Sequence, residues 1–345
     1  MKDNDSIENR NNDDKLYKAY ITNTKEEMDS SFSISVEEQR QIVARGRTAA
    51  RITNVMISVA ILLLILPVMT LLSYLYYAIG GRADHLIEVT SKTIYVTEPN
   101  ISIEEMEIED DIGFFSMNIF FDVYKRIGKQ DYKAGDYDIY FALDQPAFPK
   151  KNMVLERPLP ENPTGETENM LHPKANIPFS VSGEWNMLKG LPNGTVAEVY
   201  LSFSNLMDPE EIEEFLPTET EVQWLAVHTG LEAKQTDGEG IPIAPIGYPA
   251  QIDTTTWSPF NGRDQTNQEV FMDILALLEE NEIVSEKVAR AKSLDMTKRL
   301  AFLKANGIEV YGAVVTGPTP ELRKLEQIEE IRAMKVGEVK LWNWK

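Results

Sequence analysis

The chain of 345 residues contains no cysteine, only three histidines and far fewer basic than acidic residues. Without cysteine there can be no disulfide framework, thiolate zinc site or cysteine nucleophile. The 34 Lys and Arg against 55 Asp and Glu give a formal net charge of −21. Affinity for nucleic acids comes mostly from cations that neutralise phosphates, so we expect no nucleic acid among the partners.

Recognisable catalytic and metal-binding motifs are also missing from the sequence. His85, His172 and His228 stand far apart and form no His-x-x-x-His pair, so no zinc ligand set is predicted. The sequence has no Gly-x-Ser-x-Gly elbow, P-loop or dinucleotide fingerprint. We therefore predict no catalytic residues, no metal site and no cofactor, and a protein that is not an enzyme. A hydrolase is the least favoured alternative, because no nucleophile and base can be named.

Formal charge is absent from the 30 residues between Arg51 and Arg82. A helix needs about 20 apolar residues to cross a bilayer, so we predict a single transmembrane helix over residues 52–81. A cleaved signal peptide is the alternative. Its apolar core would hold about 7 to 15 residues near the N-terminus, whereas about 50 polar residues come first here. An uncleaved signal anchor in the cell membrane fits better.

Basic residues crowd the N-terminal flank of the predicted span, at Arg40, Arg45, Arg47 and Arg51. The positive-inside rule therefore places the N-terminus in the cytoplasm and the C-terminal region outside. Each basic residue close to anionic lipid contributes about 1 kcal/mol, so we predict that these four arginines contact lipid headgroups. Residues 1–51 carry a net charge of −1, and nearly all the acidity belongs to the exported part.

The predicted cytoplasmic segment, residues 1–51, combines a polar start with two apolar patches. Residues 1–14 have the composition of a disordered segment. Ser35 and Glu38 have the spacing of a capping box, which predicts that a juxtamembrane helix begins there. The hypothetical partner-binding residues are the apolar ones at helical spacing: Leu16, Tyr17, Tyr20, Ile21, Ile34, Val36, Ile42 and Val43.

Two interpretations of the juxtamembrane helix stay open at this point. In the first, it is a stiff arginine-rich helix held at anionic lipid. In the second, it is a docking helix for a cytoplasmic partner. The spacing of the residues alone favours the first interpretation.

Beyond the span the sequence predicts an α+β protein. Alternation predicts strands at His85–Thr97, Phe114–Tyr124 and Tyr137–Leu143, with a turn at Ile127–Lys129, in a small antiparallel β region over residues 82–145. Seven prolines between Pro146 and Pro178 predict a linker or extended loop over residues 146–190 without regular elements.

The remaining region, residues 191–345, contains two similar strand-helix-strand patterns. The first has strands at 198–203 and 221–228 with a helix capped by Asp208 between them. The second has strands at 309–315 and 331–341 with a helix capped by Thr319. Two such units, with helices over residues 265–280 and 296–305 inserted between them, predict a split βαβ, ferredoxin-like domain.

Two segments of the exported region are candidate ligand sites. The carboxylates from Glu104 to Asp111 could bind calcium, but they lack the spacing of an EF-hand loop, so a solvated acidic loop is favoured. The segment from Thr229 to Gly262 is rich in Gly and Pro and longer than most structureless loops. We expect an extracytoplasmic ligand there before anywhere else.

Several stretches resemble the sigma-factor-regulator family. Its N-terminal region resembles Ile34–Ile42 with Arg45-Gly46-Arg47, the Ser73–Tyr77 end of the span, and Tyr124–Gly128. Its C-terminal domain resembles Gly194–Tyr200 with Trp224 and Thr229-Gly230, and the more specific stretch Tyr311–Leu322. The resemblance covers roughly residues 34–344.

This resemblance implies a membrane anti-sigma factor that restrains an extracytoplasmic-function sigma factor until envelope stress is sensed. The expected partners are a sigma factor on the cytoplasmic side, the lipid bilayer and, as a further candidate, another small membrane protein. The alternative is an extracytoplasmic ligand-binding or scaffold protein of the membrane, whose cytoplasmic segment is only an anchor.

Overall fold

The computed structural model describes residues 5–31, 35–103, 108–154, 170–234, 236–241, 243–251, 258–261, 264–290 and 293–344. The chain divides into two compact units, Met1–Val68 and Met69–Lys345. Each unit is described by itself below.

The first unit consists of helix α1, Asp5–Ser31, and the N-terminal part of helix α2, Val36–Ala78. The predicted capping box is present, since the Glu38 amide donates to the Ser35 hydroxyl at 3.2 Å and the Ser35 amide donates to the Glu38 carboxylate at 3.0 Å. The expectation of disorder over residues 1–14 is wrong from Asp5 onward, because α1 begins there.

Helix α2 is the one helix among the described residues that is long and apolar enough to cross a membrane. It runs without a break for 43 residues, so the juxtamembrane helix and the predicted span form one element. Its end at Ala78 falls three residues short of the predicted boundary, and Gly80 and Gly81 follow with φ of 76° and 65°. Only glycine adopts this left-handed backbone without strain, which explains why the helix stops here.

The second unit begins with the last turns of α2 and continues into helix α3, Arg82–Thr97. The predicted strand over His85–Thr97 is therefore wrong. The segment is rich in β-branched residues, but Leu86, Val89, Thr93 and Val96 recur at helical spacing and are all buried. Burial of this stripe outweighs the local preference for a strand.

The first sheet is antiparallel and is built around a long hairpin. Its strands β3, Ser116–Ile127, and β4, Gln130–Ala142, are joined at Gly128, which has a φ of 68°. The predicted strands at 114–124 and 137–143 and the turn between them are confirmed. Shorter strands complete the sheet: β1 Ser102–Ile103, β2 Glu109–Ile112, β5 Gln145–Pro146 and β6 Lys150–Met153.

The second sheet has the strand order β11-β7-β10-β8-β9, and all its neighbouring strands are antiparallel. The strands are β7 Thr195–Met207, β8 Glu221–Val227, β9 Gly247–Pro249, β10 Val310–Pro318 and β11 Ile331–Leu341. The four strands predicted from the two similar patterns are all present. Their pairing interleaves the two patterns, since β10 lies between β7 and β8, and β7 lies between β10 and β11.

Helices of the second unit pack beside these sheets: α4 Val181–Gly190, α5 Ile212–Phe215, α6 Asn267–Glu280, α7 Glu282–Val288, α8 Met296–Asn306 and α9 Thr319–Leu322. The predicted cap at Asp208 is confirmed by a 2.9 Å bond from the Glu210 amide. The predicted cap at Thr319 is wrong, because the helix begins with that residue and its hydroxyl donates instead to the Thr195 carbonyl at 3.1 Å.

The proline-rich region is more ordered than its composition predicts. Strands β5 and β6 and helix α4 lie within residues 145–190, so the expectation of a stretch without regular elements is wrong at those positions. Residues 155–169 lie outside the described part of the chain. The core of the second unit includes residues of both sheets and of α3, and the Trp224 indole of β8 donates to the Tyr95 carbonyl at 3.1 Å.

Candidate functional sites

The predicted partner-binding residues of α1 form one exposed surface. Leu16 with Tyr20, and Tyr17 with Ile21, are four residues apart and therefore neighbours on the helix. Their exposed fractions range from 47% to 74%. Met28 is also exposed and lies seven residues after Ile21, so it extends this surface. Its helical spacing from Ile21 could have identified it in the sequence.

The predicted partner-binding residues of α2 are equally accessible. Val36 and Val43 lie on the same face because seven residues make almost two helical turns, and Ile42 lies beside them. All three are more than half exposed. Ile34, the remaining predicted residue, lies outside the described residues.

The four arginines predicted to bind lipid headgroups are exposed on the same helix. One face of α2 carries residues that are three or four positions apart: Val36, Arg40, Val43, Arg47 and Arg51. Arg45 lies on a different face. The surface predicted to bind a partner and the surface predicted to bind lipid therefore share one side of α2.

A buried ionic cluster joins the two sheets of the second unit. Glu198 of β7 is fully buried, and the Lys125 ammonium of β3 lies 3.2 Å from its carboxylate. The Asn100 amide donates to the same carboxylate at 2.8 Å, and the Lys125 ammonium donates to the Tyr200 hydroxyl at 2.7 Å. Burial alone would lower the pKa of Lys125, but Glu198 and Tyr200 raise it overall. Lys125 therefore stays charged, and its contacts with Glu198 and Tyr200 join the first sheet to the second.

A second buried cluster lies between α8 and the segment after β8. The Arg299 guanidinium, which is fully buried, donates to the Glu232 carboxylate at 2.7 Å, to the Thr229 hydroxyl at 2.9 Å and to the Ala244 carbonyl at 2.9 Å. Burial opposes ionisation of Glu232, but His228, Arg299 and Thr229 lower its pKa to about 2. Glu232 and Arg299 are 67 residues apart, and no spacing in the sequence predicts their contact.

Two histidines that are far apart in the sequence, His172 and His228, lie next to each other in the fold. The His172 and His228 rings are 4.9 Å apart between centroids, and the His228 Nδ1 atom is 3.4 Å from the Glu232 carboxylate. His172 is only 4% exposed, and its burial, with the neighbouring His228, lowers its pKa to about 4. His172 and Glu232 are buried, and His228 is half-buried beside them.

A groove of about 470 Å³ lies beside strand β9. Of its lining residues, only Tyr248 and Ala250 belong to the segment Thr229–Gly262, where the sequence predicts a ligand. Its floor is apolar, with Val222, Leu225 and Tyr248, and its rim carries Glu210 and Glu213. The segment from Thr229 to Gly262 is not structureless, because β9 and the buried residues before it lie there. Part of the segment lies outside the described residues.

Among the described residues, no group of three or more His, Asp or Glu side chains is placed to hold a metal ion. Glu104, Glu105 and Glu107 of the acidic run lie outside the described residues. Glu109, Asp110 and Asp111 are exposed on β2, so this end of the run is an edge strand rather than the favoured acidic loop.

Two family models match the chain, and their ranges include most of these sites. The sigma factor regulator N-terminal model matches residues 40–132, and the sigma factor regulator C-terminal model matches residues 188–338. The chain belongs to the sigma-factor regulator family. The resemblance noted in the sequence is thereby confirmed. The probable anti-sigma-M factor YhdL of Bacillus subtilis (strain 168) is 29% identical over 320 residues, which are 92% of this chain and 87% of that protein. No solved structure matches the chain.

The two regulator matches include different parts of the described sites. The N-terminal match begins at Arg40 and includes the basic face of α2, the apolar span and most of the first hairpin. The C-terminal match contains the Arg299 cluster and the groove. The Glu198 cluster draws on both matches, since Lys125 and Asn100 lie in the N-terminal one and Glu198 and Tyr200 in the C-terminal one. Helix α1 precedes both matched ranges. Both model descriptions are of a sigma factor regulator.

Proposed function

We propose that the protein is a single-pass membrane anti-sigma factor that holds an extracytoplasmic-function sigma factor at the cytoplasmic face and releases it on envelope stress. The observation that carries this proposal is the pair of regulator matches. One includes the apolar part of helix α2, and the other includes most of the second sheet. The name of the relative, an anti-sigma-M factor, supports the same class.

We propose that the N-terminus faces the cytoplasm and the second unit faces outward. The arginines before the span support this orientation through the positive-inside rule. The natural chain has no cysteine, so single-cysteine variants report topology without background. In intact cells, a membrane-impermeant maleimide will label Met187→Cys on α4 and leave Thr24→Cys on α1 unlabelled until the cells are permeabilised. Labelling in the opposite order overturns the orientation.

We propose that the sigma factor covers the apolar surface of α1 together with the Val36 and Val43 face of α2. Exposed apolar side chains in a cluster are typical of binding surfaces, and large apolar and aromatic residues dominate binding energy when a partner buries them. The acidic exported unit contributes no contact in this arrangement. A second small membrane protein beside α2 is a further proposed partner, since the side chains of residues 52–68 are exposed.

Charge substitutions on α1 test this surface in the full-length protein. Leu16→Asp and Tyr20→Asp place a carboxylate where we expect a buried apolar contact, while Thr22→Asp adds the same charge on the opposite side of α1. Each variant is assayed in a two-hybrid format against each extracytoplasmic-function sigma factor of the host. We expect the first two to weaken binding at least tenfold, as truncated hot spots do, and the control to bind normally. Binding of no sigma factor by the natural chain overturns the proposal.

The groove beside β9 supports a second candidate function, an extracytoplasmic ligand-binding protein without a sigma partner. In that case, replacement of residues 1–35 by an unrelated polar tail leaves the cellular response intact. In an anti-sigma factor, the same replacement releases sigma-dependent transcription. A transcription reporter therefore separates the two candidates.

We also propose a ferredoxin-like arrangement for the second sheet. Its support is the antiparallel order β11-β7-β10-β8, in which the two strand-helix-strand patterns interleave and β9 extends the edge. The division of the exported part at residues 145 and 190 likewise stays a prediction. Limited proteolysis tests it, since a true linker is cleaved before either flanking domain.

A further inference from the structure

Two loops of the first sheet hold the C-terminal end of α2. The Phe115 amide donates to the Ser73 hydroxyl at 2.7 Å, and the Tyr77 hydroxyl donates to the Leu143 carbonyl at 3.0 Å. The loops are also joined to each other, because the Leu143 amide donates to the Phe115 carbonyl at 3.0 Å. Ser73 and Tyr77 are fully buried by these contacts. All of these residues belong to the second unit.

These contacts fix the loops at a definite depth along the span. Ser73 precedes the last helical residue, Ala78, by five positions, which at 1.5 Å per residue is about 7 to 8 Å along the helix axis. The roughly 20 residues needed for the hydrocarbon core reach from Ile52 to Leu71. The loops therefore lie at the level where the core ends and the headgroup region begins. On the sides of α2 that the loops leave uncovered, Leu72 and Leu75 are exposed at this level.

The same loops carry exposed apolar side chains. Phe114, next to the residue that binds Ser73, is 56% exposed, and Leu143 is 42% exposed. Phe148 follows β5, is also exposed, and has the Lys287 ammonium 4.3 Å from its ring centroid. The carboxylate of Asp144, the residue after Leu143, accepts a 2.8 Å hydrogen bond from the Tyr76 hydroxyl. Aromatic and basic side chains are the residues that proteins place at a bilayer interface.

We propose that the loops carrying Phe114 and Leu143 insert into the leaflet at the C-terminal end of the span. The second unit would then contact the bilayer at two places, through helix α2 and through the loop tips. Lipid is the occupant because the hydrogen bonds to Ser73 and Tyr77 hold these side chains at bilayer depth whatever else binds the protein. The inference requires only that α2 crosses the bilayer, and it is independent of sigma-factor binding.

The test uses full-length single-cysteine variants, since the natural chain has no cysteine to remove. Phe114→Cys and Leu143→Cys are labelled with bimane and reconstituted in nanodiscs whose lipids are brominated at the upper part of the acyl chain. Met187→Cys is the matched control, because Met187 is 43% exposed, close to the 42% of Leu143, but lies on α4, which packs beside β11. We expect bromolipid quenching and loss of aqueous iodide quenching at positions 114 and 143, and the reverse at 187.

Two outcomes overturn the proposal. If iodide quenches all three labels equally, the loops lie in water. If the labels at 114 and 143 are shielded from iodide but not quenched by brominated lipid, another protein or a second copy covers them. In either case Thr22→Asp and Leu16→Asp still differ in sigma-factor binding, so failure here is distinguishable from failure of the proposed function.

Discussion

The Phe115 amide donates a 2.7 Å hydrogen bond to the Ser73 hydroxyl and thereby joins the first sheet to the C-terminal end of α2. The same hydroxyl donates to the Met69 carbonyl at 2.9 Å, as helical serines often do. The first sheet is therefore anchored on the last turns of α2, within the second unit.

Removal of this hydroxyl will destabilise the second unit. Ser73→Ala leaves the Phe115 amide without its acceptor, so we expect the free energy of unfolding to fall by about 1 to 3 kcal/mol. Ser58→Ala, at an exposed position of the same helix, is the control and is expected to change little. Urea unfolding in nanodiscs, followed by tryptophan fluorescence, measures both. Equal stability of the two variants contradicts a structural role for the Ser73 bond.

The ion pair of Lys125 and Glu198 leads to a second prediction, about the packing of the two sheets. Lys125→Met leaves the buried Glu198 carboxylate without its counter-ion, which we expect to cost about 3 to 5 kcal/mol. The double variant with Glu198→Leu removes both charges and will recover much of that loss. The same unfolding assay compares them. If the double variant is no more stable than Lys125→Met, the lost packing rather than the unpaired charge explains the effect.

Stability will depend on pH through His172. Burial lowers its pKa from 6.5 to about 4, so the folded state binds fewer protons than the unfolded state. Its contribution is therefore fully present above pH 6.5 and lost as the pH falls from 6.5 towards 4. Unfolding midpoints across pH 4–8 will show this loss, and His172→Asn will abolish it. His85→Asn, on an exposed histidine, serves as the control. If the pH dependence of stability is unchanged in His172→Asn, another group is responsible for it.

The sequence predicted those features that depend on residues close together in the chain. The span follows from 30 uncharged residues, the Ser35 cap from a spacing of three, and the β3–β4 hairpin from alternation on both sides of a glycine. The paired strands β7, β8, β10 and β11 follow from the two similar patterns. The local pattern gave a wrong prediction at α3. Its β-branched residues favour a strand, but the segment is a helix because this buries a stripe of its side chains in the core.

The candidate sites were less predictable because their members come from distant parts of the chain. His172 and His228 are 56 residues apart in the sequence, and Glu198 lies 73 residues from Lys125. Only the fold brings such groups together, and no spacing rule indicates their partners. The exposed residues of α1 and α2 were predictable, because neighbours on one helix are also near in sequence. Val43 and Arg47 are also close in sequence, so their position on one face could be predicted once α2 was known to be one helix.

That shared face leads to a prediction about how lipid and partner compete for α2. Arg47 lies four residues after Val43 on the same side, whereas Arg45 lies on another. If lipid headgroups hold this face down, Arg47→Gln removes about 1 kcal/mol of attraction to an anionic surface, a factor of about five. We expect bimane on Val43→Cys, in nanodiscs with anionic lipid, to become more accessible to iodide in Arg47→Gln than in Arg45→Gln. In neutral nanodiscs the two variants will match. Equal accessibility in anionic nanodiscs shows that lipid does not hold this face, which leaves Val43 free for the partner at all times.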